Sequence, residues 1–159
     1  MPVGWIEHST RYFMSSVIGV VVCNHSQARL FKANQMSIVS EIADQVNPQA
    51  RMPDQDLATD EPGKYRGGGL GGQHHSEDHR TTQRDKAAAN FARDIAAATE
   101  AMVTTHRLEK LYIVAEPAML GLLRAELSER CRKLVADEIT KDVVGRTPDQ
   151  IRDYLPTPL

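Results

Sequence analysis

The chain has 159 residues, a formal net charge of −2, and a composition that is 41% apolar and 5% aromatic. That length fits one domain with a real core, and the near-balanced charge excludes bulk attraction to nucleic acid, so any nucleic-acid surface must be local. Nothing in the composition points to disorder along the whole chain.

Residues 1–15 mix polarity without periodicity and read as a loosely attached extension, followed by a single domain over 16–159. The longest apolar run, Val17 to Cys23, is far too short to span a membrane. Glu7, His8 and Arg11 precede it without a clean basic region, and Val22 is too bulky for lipoprotein processing at Cys23. A cytoplasmic location is therefore expected. Being continuous and β-branched, the run predicts a central strand buried on both faces. Asn24-His25-Ser26-Gln27 carries turn chemistry. Ala28 to Ala33 alternates Arg29 and Lys32 with Leu30 and Phe31, and Gln35 to Ala43 places Met36, Ile38 and Ile42 at even spacing. Three antiparallel strands joined by short turns follow from these patterns.

The periodicity then stops. Residues 44–81 read as one long loop punctuated by Pro48, Pro53, Pro62 and a glycine cluster, and a loop of that length is usually functional or disordered. Its acids, Asp54, Asp56, Asp60 and Glu61, come first, while Lys64, Arg66, Arg80, Arg84 and Lys86 surround or follow the glycines. Thr82 with Asp85 three residues later predicts a helix N-terminus. Phe91, Ile95, Ala98 and Met102 continue it as one apolar stripe over 82–104.

Leu111 to Ala115 predicts a fourth strand. Pro117 opens a helix with Leu120, Leu123 and Leu127 facing inward, and Leu134 to Ile139 predicts a fifth strand. Thr147-Pro148-Asp149-Gln150 is a capping box that opens a last short helix, ended by Pro156. Cys23 and Cys131 have no ligand-like spacing and read as two reduced thiols. Trp5, Tyr112 and Met119 read as packing residues. The fold class is α/β, with a single-domain mixed sheet: a three-stranded antiparallel meander, then β-α-β-α.

The stretch KYRGGGLGGQHH at 64–75 holds five of the chain's ten glycines within 67–72 and ends on a glutamine and two histidines. It is not a phosphate-binding P-loop, because no Gly-Lys-Ser/Thr follows. Ser15, Ser16 and Ser26 lack the setting of a nucleophile elbow. His74, His75, Glu77, Asp78 and His79 crowd together, with His75 and His79 at helical i, i+4 spacing. No partner motif supplies a third ligand, so no metal site and no cofactor are expected.

Several segments carry a resemblance. VVVCNHSQARLFKA, QARMPDQDLATDEPGKY, NFARDIAAA, LYIVAEPAMLGLLRAEL and LVADEITKDVVGRTPDQIRDYL resemble the bacterial host attachment protein family. The Ala-Arg after the first turn, the Asp-Leu-x-x-Asp-x-Pro-Gly run and the Pro-x-x-Leu-Gly-Leu-Leu helix are its closest matches. The element order is also similar to the middle domain of archaeal and eukaryotic class I release factors, in which a long loop after the third strand carries Gly-Gly-Gln and runs into a long helix. Here Gly71-Gly72-Gln73 occupies that loop.

This second resemblance implies hydrolysis of the peptidyl-tRNA ester in codon-independent ribosome rescue, with Gly71, Gly72 and Gln73 as catalytic tip. Two glycines let the backbone approach RNA closely. The glutamine presents a backbone N–H to the developing oxyanion and a side chain near the attacking water, so no ionisable general base is required. Lys64, Arg66, Arg80, Arg84 and Lys86 suit RNA phosphates, and His74 and His75 suit base stacking or phosphate contact. Arg80, Arg84 and Lys86 also suit a solvated helix face, as most charges near helices do. The implied partners are the ribosome, rRNA and peptidyl-tRNA, with no membrane. Two alternatives stand beside this one: a non-enzymatic ribosome- or RNA-binding module of the stress or hibernation kind, and an interaction protein of the host-attachment kind.

Overall fold

A computed structural model describes residues 17–51 and 73–159, giving the backbone alone at 51 and 73–81. Its centre is β1 (Ile18–Cys23), in which every residue is buried because both faces of the sheet are covered. β2 (Gln27–Ala33) pairs antiparallel with β1, from Ile18 opposite Ala33 to Cys23 opposite Ala28. β3 (Ile38–Val46) continues antiparallel on β2, with register shifts between Leu30 and Phe31 and between Lys32 and Ala33. On the other side β4 (Lys110–Ala115) runs parallel to β1, and β5 (Val135–Thr140) parallel to β4. The sheet is mixed and five-stranded, in the order β3-β2-β1-β4-β5. The fold class is therefore α/β, as the sequence predicts.

The long helix α1 (Gln73–His106) crosses from the β3 edge back to β4. It ends at Arg107, whose φ of 51° is left-handed, and the Leu108 N–H donates to the Val103 carbonyl at 3.2 Å. That bond and that φ make a Schellman stop, which turns the chain straight into β4. Two further helices, α2 (Pro117–Glu126) and α3 (Glu129–Leu134), precede β5, and a short α4 (Pro148–Arg152) lies in the C-terminal segment. The Thr147/Gln150 capping box of α4 is present with both of its hydrogen bonds.

Four expectations shift. The Thr82 start is wrong, because α1 begins at Gln73: no Pro or Gly interrupts 73–81, so nothing in that stretch stops the helix from running upstream of Thr82. β3 spans Ile38–Val46 rather than 35–43, since the Asn34 side chain holds the turn by accepting from the Met36 and Ser37 N–H groups at 2.8 and 2.9 Å. A 3-10 turn (Pro48–Arg51) follows β3 within the stretch expected to be loop. The fifth strand starts one residue later than expected because α3 occupies Leu134. α3 is nucleated by Ser128, whose Oγ accepts from the Cys131 N–H at 3.1 Å.

Alternation along the strands sorts the core into two. Val21, Cys23, Leu30 and Ile113 face α1 and α2, where they meet Phe91, Ile95, Met102, Met119 and Leu123. Ile18, Val20, Val22, Phe31 and Val114 face the C-terminal segment, through Val143, Val144, Ile151, Leu155 and Leu159. Each fully buried Val, Leu or Ile side chain contributes about 1.5–3 kcal/mol, so covering the second face stabilises as surely as the helices do. Gly19 permits the close approach of the first layer. A Cβ there would stand 2.5 Å from Leu108 Cδ1 and 2.8 Å from Leu111 Cδ2.

Candidate functional site

Gln73 is the first residue of α1. The first four N–H groups of any α-helix lack an intrahelical carbonyl, so the Gln73 N–H has no partner within the helix and stands at the positive end of its dipole. The first buried side chain described on α1 is Ala87. The helix before it, at 1.5 Å per residue, is about 20 Å long. α1 enters β4 through a short turn and so runs antiparallel to it. Its early turns lie toward the end of the sheet where β1, β3, β4 and β5 finish.

The residues singled out in the sequence distribute as follows. Lys64, Arg66, Gly71 and Gly72 lie outside the described residues. Gln73, His74, His75 and Arg80 fall on the opening turns of α1, described by backbone alone. Arg84 and Lys86 are exposed further along the helix. Positions 80 and 84 stand one turn apart on one face, whereas 84 and 86 are separated by about 200° around the axis. Positions 80 and 84 thus share a helix face that position 86 does not.

Sequence reading misses a second cluster, at the carboxyl ends of the parallel strands. After β1 the chain turns toward β2, and after β4 it leaves through α2 and α3 toward β5. Connections diverging in this way mark a topological switch point between β1 and β4, the usual ligand position in open α/β sheets. The His25 N–H donates to Glu116 Oε1 at 2.8 Å, and its Nδ1 lies 3.0 Å from the same oxygen. Asn24 Nδ2 donates to Asp142 Oδ1 at 3.1 Å while Asn24 Oδ1 accepts from the Ser26 and Gln27 N–H groups, both at 2.8 Å. Asn47 closes the rim by donating from Nδ2 to the His25 carbonyl at 3.0 Å.

Neutral His25 that donates from Nδ1 to Glu116 keeps Nε2 as acceptor, on a side chain 64% exposed. The rim therefore presents an imidazole nitrogen to solvent. Its buried neighbour is not a nucleophile: burial first, then the Glu116 and Asp142 carboxylates, push the Cys23 thiol up to about 12. Among the described residues no group of three or more His, Cys, Asp and Glu is placed to hold a metal ion. The histidine-rich run at 74–79 lies outside the described side chains.

A third feature is an open groove of about 640 Å³ where the end of β3 meets α1, lined by Gln45, Asn47, Gln49, Asn90, Phe91 and Asp94 among others. Gln45 Oε1 is buried there with no hydrogen-bond partner.

The family model described as "Protein required for attachment to host cells" matches residues 19–155. The uncharacterized protein RP470 of Rickettsia prowazekii (strain Madrid E) is 34% identical over 73 residues, 45% of this chain and 49% of the relative. The match thus spans about half the length of that curated protein. Among solved structures, archaeal translation termination factor aRF1 aligns with a TM-score of 0.47 at 9% identity, covering 82% of this chain and 32% of that one. A second structure, of an archaeal protein, gives 0.42 at 10%, covering 91% and 34%. Likenesses of that size carry no functional argument. The family match is of another order, running from Gly19 in β1 to Leu155 in the C-terminal segment, and by it the chain belongs to the family of proteins required for attachment to host cells.

Proposed function

We infer that the chain hydrolyses the ester of peptidyl-tRNA on stalled ribosomes, without reading a codon, through Gly71-Gly72-Gln73. The observation that carries this reading is the position of Gln73 as first residue of α1, directly after two glycines and ahead of the turns that pack on the sheet. The reaction adds water to the ester carbonyl, passes through a tetrahedral oxyanion, and breaks the bond to the tRNA 3′ oxygen, which takes up a proton. Free peptide acid and tRNA are the products. The Gln73 N–H serves the oxyanion and its side chain holds the water, while Lys64, Arg66, His74, His75, Arg80, Arg84 and Lys86 meet RNA. The partners are then the ribosome, rRNA and peptidyl-tRNA, and the site of action is the cytoplasm. No helix among the described residues is long and apolar enough to cross a membrane.

The test is peptide release from stalled ribosomes and from isolated peptidyl-tRNA by wild type and Gly72→Ala. Release lost in the variant supports the tip; equal release by both removes it from the mechanism. The family's description favours a second reading, an interaction protein in host attachment. Salt-sensitive co-sedimentation with ribosomes separates the two, since the attachment reading predicts none.

A further inference from the structure

We propose that the groove between the end of β3 and α1 is a docking site for an arginine side chain of a partner protein. It does not depend on the tip being hydrolytic, and it uses different residues. α1 presents Ala87, Asn90, Phe91, Asp94, Ala97 and Ala98 to the groove, a spacing that forms one continuous helix face. The three alanines leave room that larger side chains would fill, and Phe91, 5% exposed, makes an apolar floor. The opposite wall is the turn that follows β3, pinned by Asn47.

The chemistry of the walls selects the occupant. Among the described residues Asp94 is the only charged side chain lining the groove, and it forms no ion pair with any of them. Gln45 Oε1 is an acceptor with no partner, which a folded protein rarely tolerates. Turning the Gln45 amide toward an occupant sacrifices no hydrogen bond of that oxygen. A planar guanidinium supplies several N–H donors at once, enough for Asp94 and Gln45 together, and lies flat on an apolar floor. A phosphate backbone would meet Asp94 as a like charge, so RNA is the wrong occupant here. The groove is open and much larger than one guanidinium, as suits an arginine carried on a peptide rather than a small enclosed ligand.

The experiment titrates the full chain with N-acetyl-arginine amide and with its neutral isostere N-acetyl-citrulline amide, following side-chain amide resonances by NMR. The arginine probe should shift the Gln45 and Asn90 signals. The citrulline probe should bind about fivefold more weakly, the size expected for one partly exposed ion pair. Asp94→Asn should lose the same factor, while Asp149→Asn should not. Gln45→Leu should raise the melting temperature and weaken the arginine probe. Equal affinity for the two probes, unchanged affinity in Asp94→Asn or Gln45→Leu, or shifts produced instead by an oligoribonucleotide would overturn the proposal. Asp94 is exposed, so its variant still decides the matter should Gln45→Leu fail to fold.

Discussion

Cys23 and Cys131 are both buried and both free. Burial, reinforced by the hydrogen bond from its Sγ to Glu100 Oε2 at 2.9 Å, pushes the Cys131 thiol up to about 11, and Cys23 stands near 12. Glu100 is held below the usual carboxylate range by that bond first and by the Ser128 hydroxyl second. The signs follow from linkage. A thiol whose native pKa is raised contributes stability that is complete below the unfolded value, near 9, and is lost as pH climbs toward 11 or 12. Unfolding free energy should therefore fall above pH 9 by about 1.4 kcal/mol per pH unit for each thiol. Denaturant titrations at several pH values should show a flatter slope in the Cys23→Ala, Cys131→Ala double variant; parallel slopes would refute the assignment. Glu100 acts oppositely, and its contribution disappears as pH falls through its lowered value.

Arg29 is the other residue on which much converges. Its guanidinium forks onto Glu41 at 2.9 and 3.2 Å, donates to the Val144 and Arg146 carbonyls at 2.8 and 2.7 Å, and lies 4.9 Å from the Phe31 ring centre. Arg29→Ala should cost about 2–3 kcal/mol in urea unfolding, and Arg29→Lys should recover little because an ammonium cannot form the fork. No local pattern marks this role, since its carbonyl partners stand 115 and 117 residues away. The same distance hides the rim. The sequence reveals that Asn24 makes a turn, but nothing in it joins Asn24 to Asp142 or His25 to Glu116, 118 and 91 residues on.

Among the elements, β1 and the α4 capping box are legible because their signals are short-range: a continuous apolar run in one, four adjacent residues in the other. The start of α1 is not, because Thr82 and Asp85 imitate an N-terminus inside a helix that neighbouring turns already propagate. α3 escapes notice for a related reason. Its cap Ser128 also donates to Glu100 on α1 at 2.6 Å, so the helix is fixed partly by packing. The end of α1 offers a direct test. Arg107 holds a left-handed conformation that suits glycine, so Arg107→Gly should raise stability by about 1 kcal/mol. A lower melting temperature in that variant would mean that the arginine side chain contributes more than the strained backbone costs.

At the scale of the molecule, the sheet is a platform covered on both faces, by the helices on one and the C-terminal segment on the other. That arrangement positions the beginning of α1 at the end of the sheet where four strands finish. The fold class was readable because alternation and helical periodicity each bury one face, whereas the chemistry of the 44–81 stretch has no such periodic signature. Its candidate tip is legible only as a tripeptide. The position of Gln73 at the head of α1 adds a physical lever, for proline is tolerated at the first position of a helix yet removes the N–H. The decisive measurement is peptide release from stalled ribosomes by wild type, Gln73→Ala and Gln73→Pro, with thermal melts confirming that all three fold. The inferred role of Gln73 requires release by wild type and a loss of about 100-fold in Gln73→Pro, the size expected for one oxyanion donor. Equal release by the three proteins, or none by wild type, would contradict it.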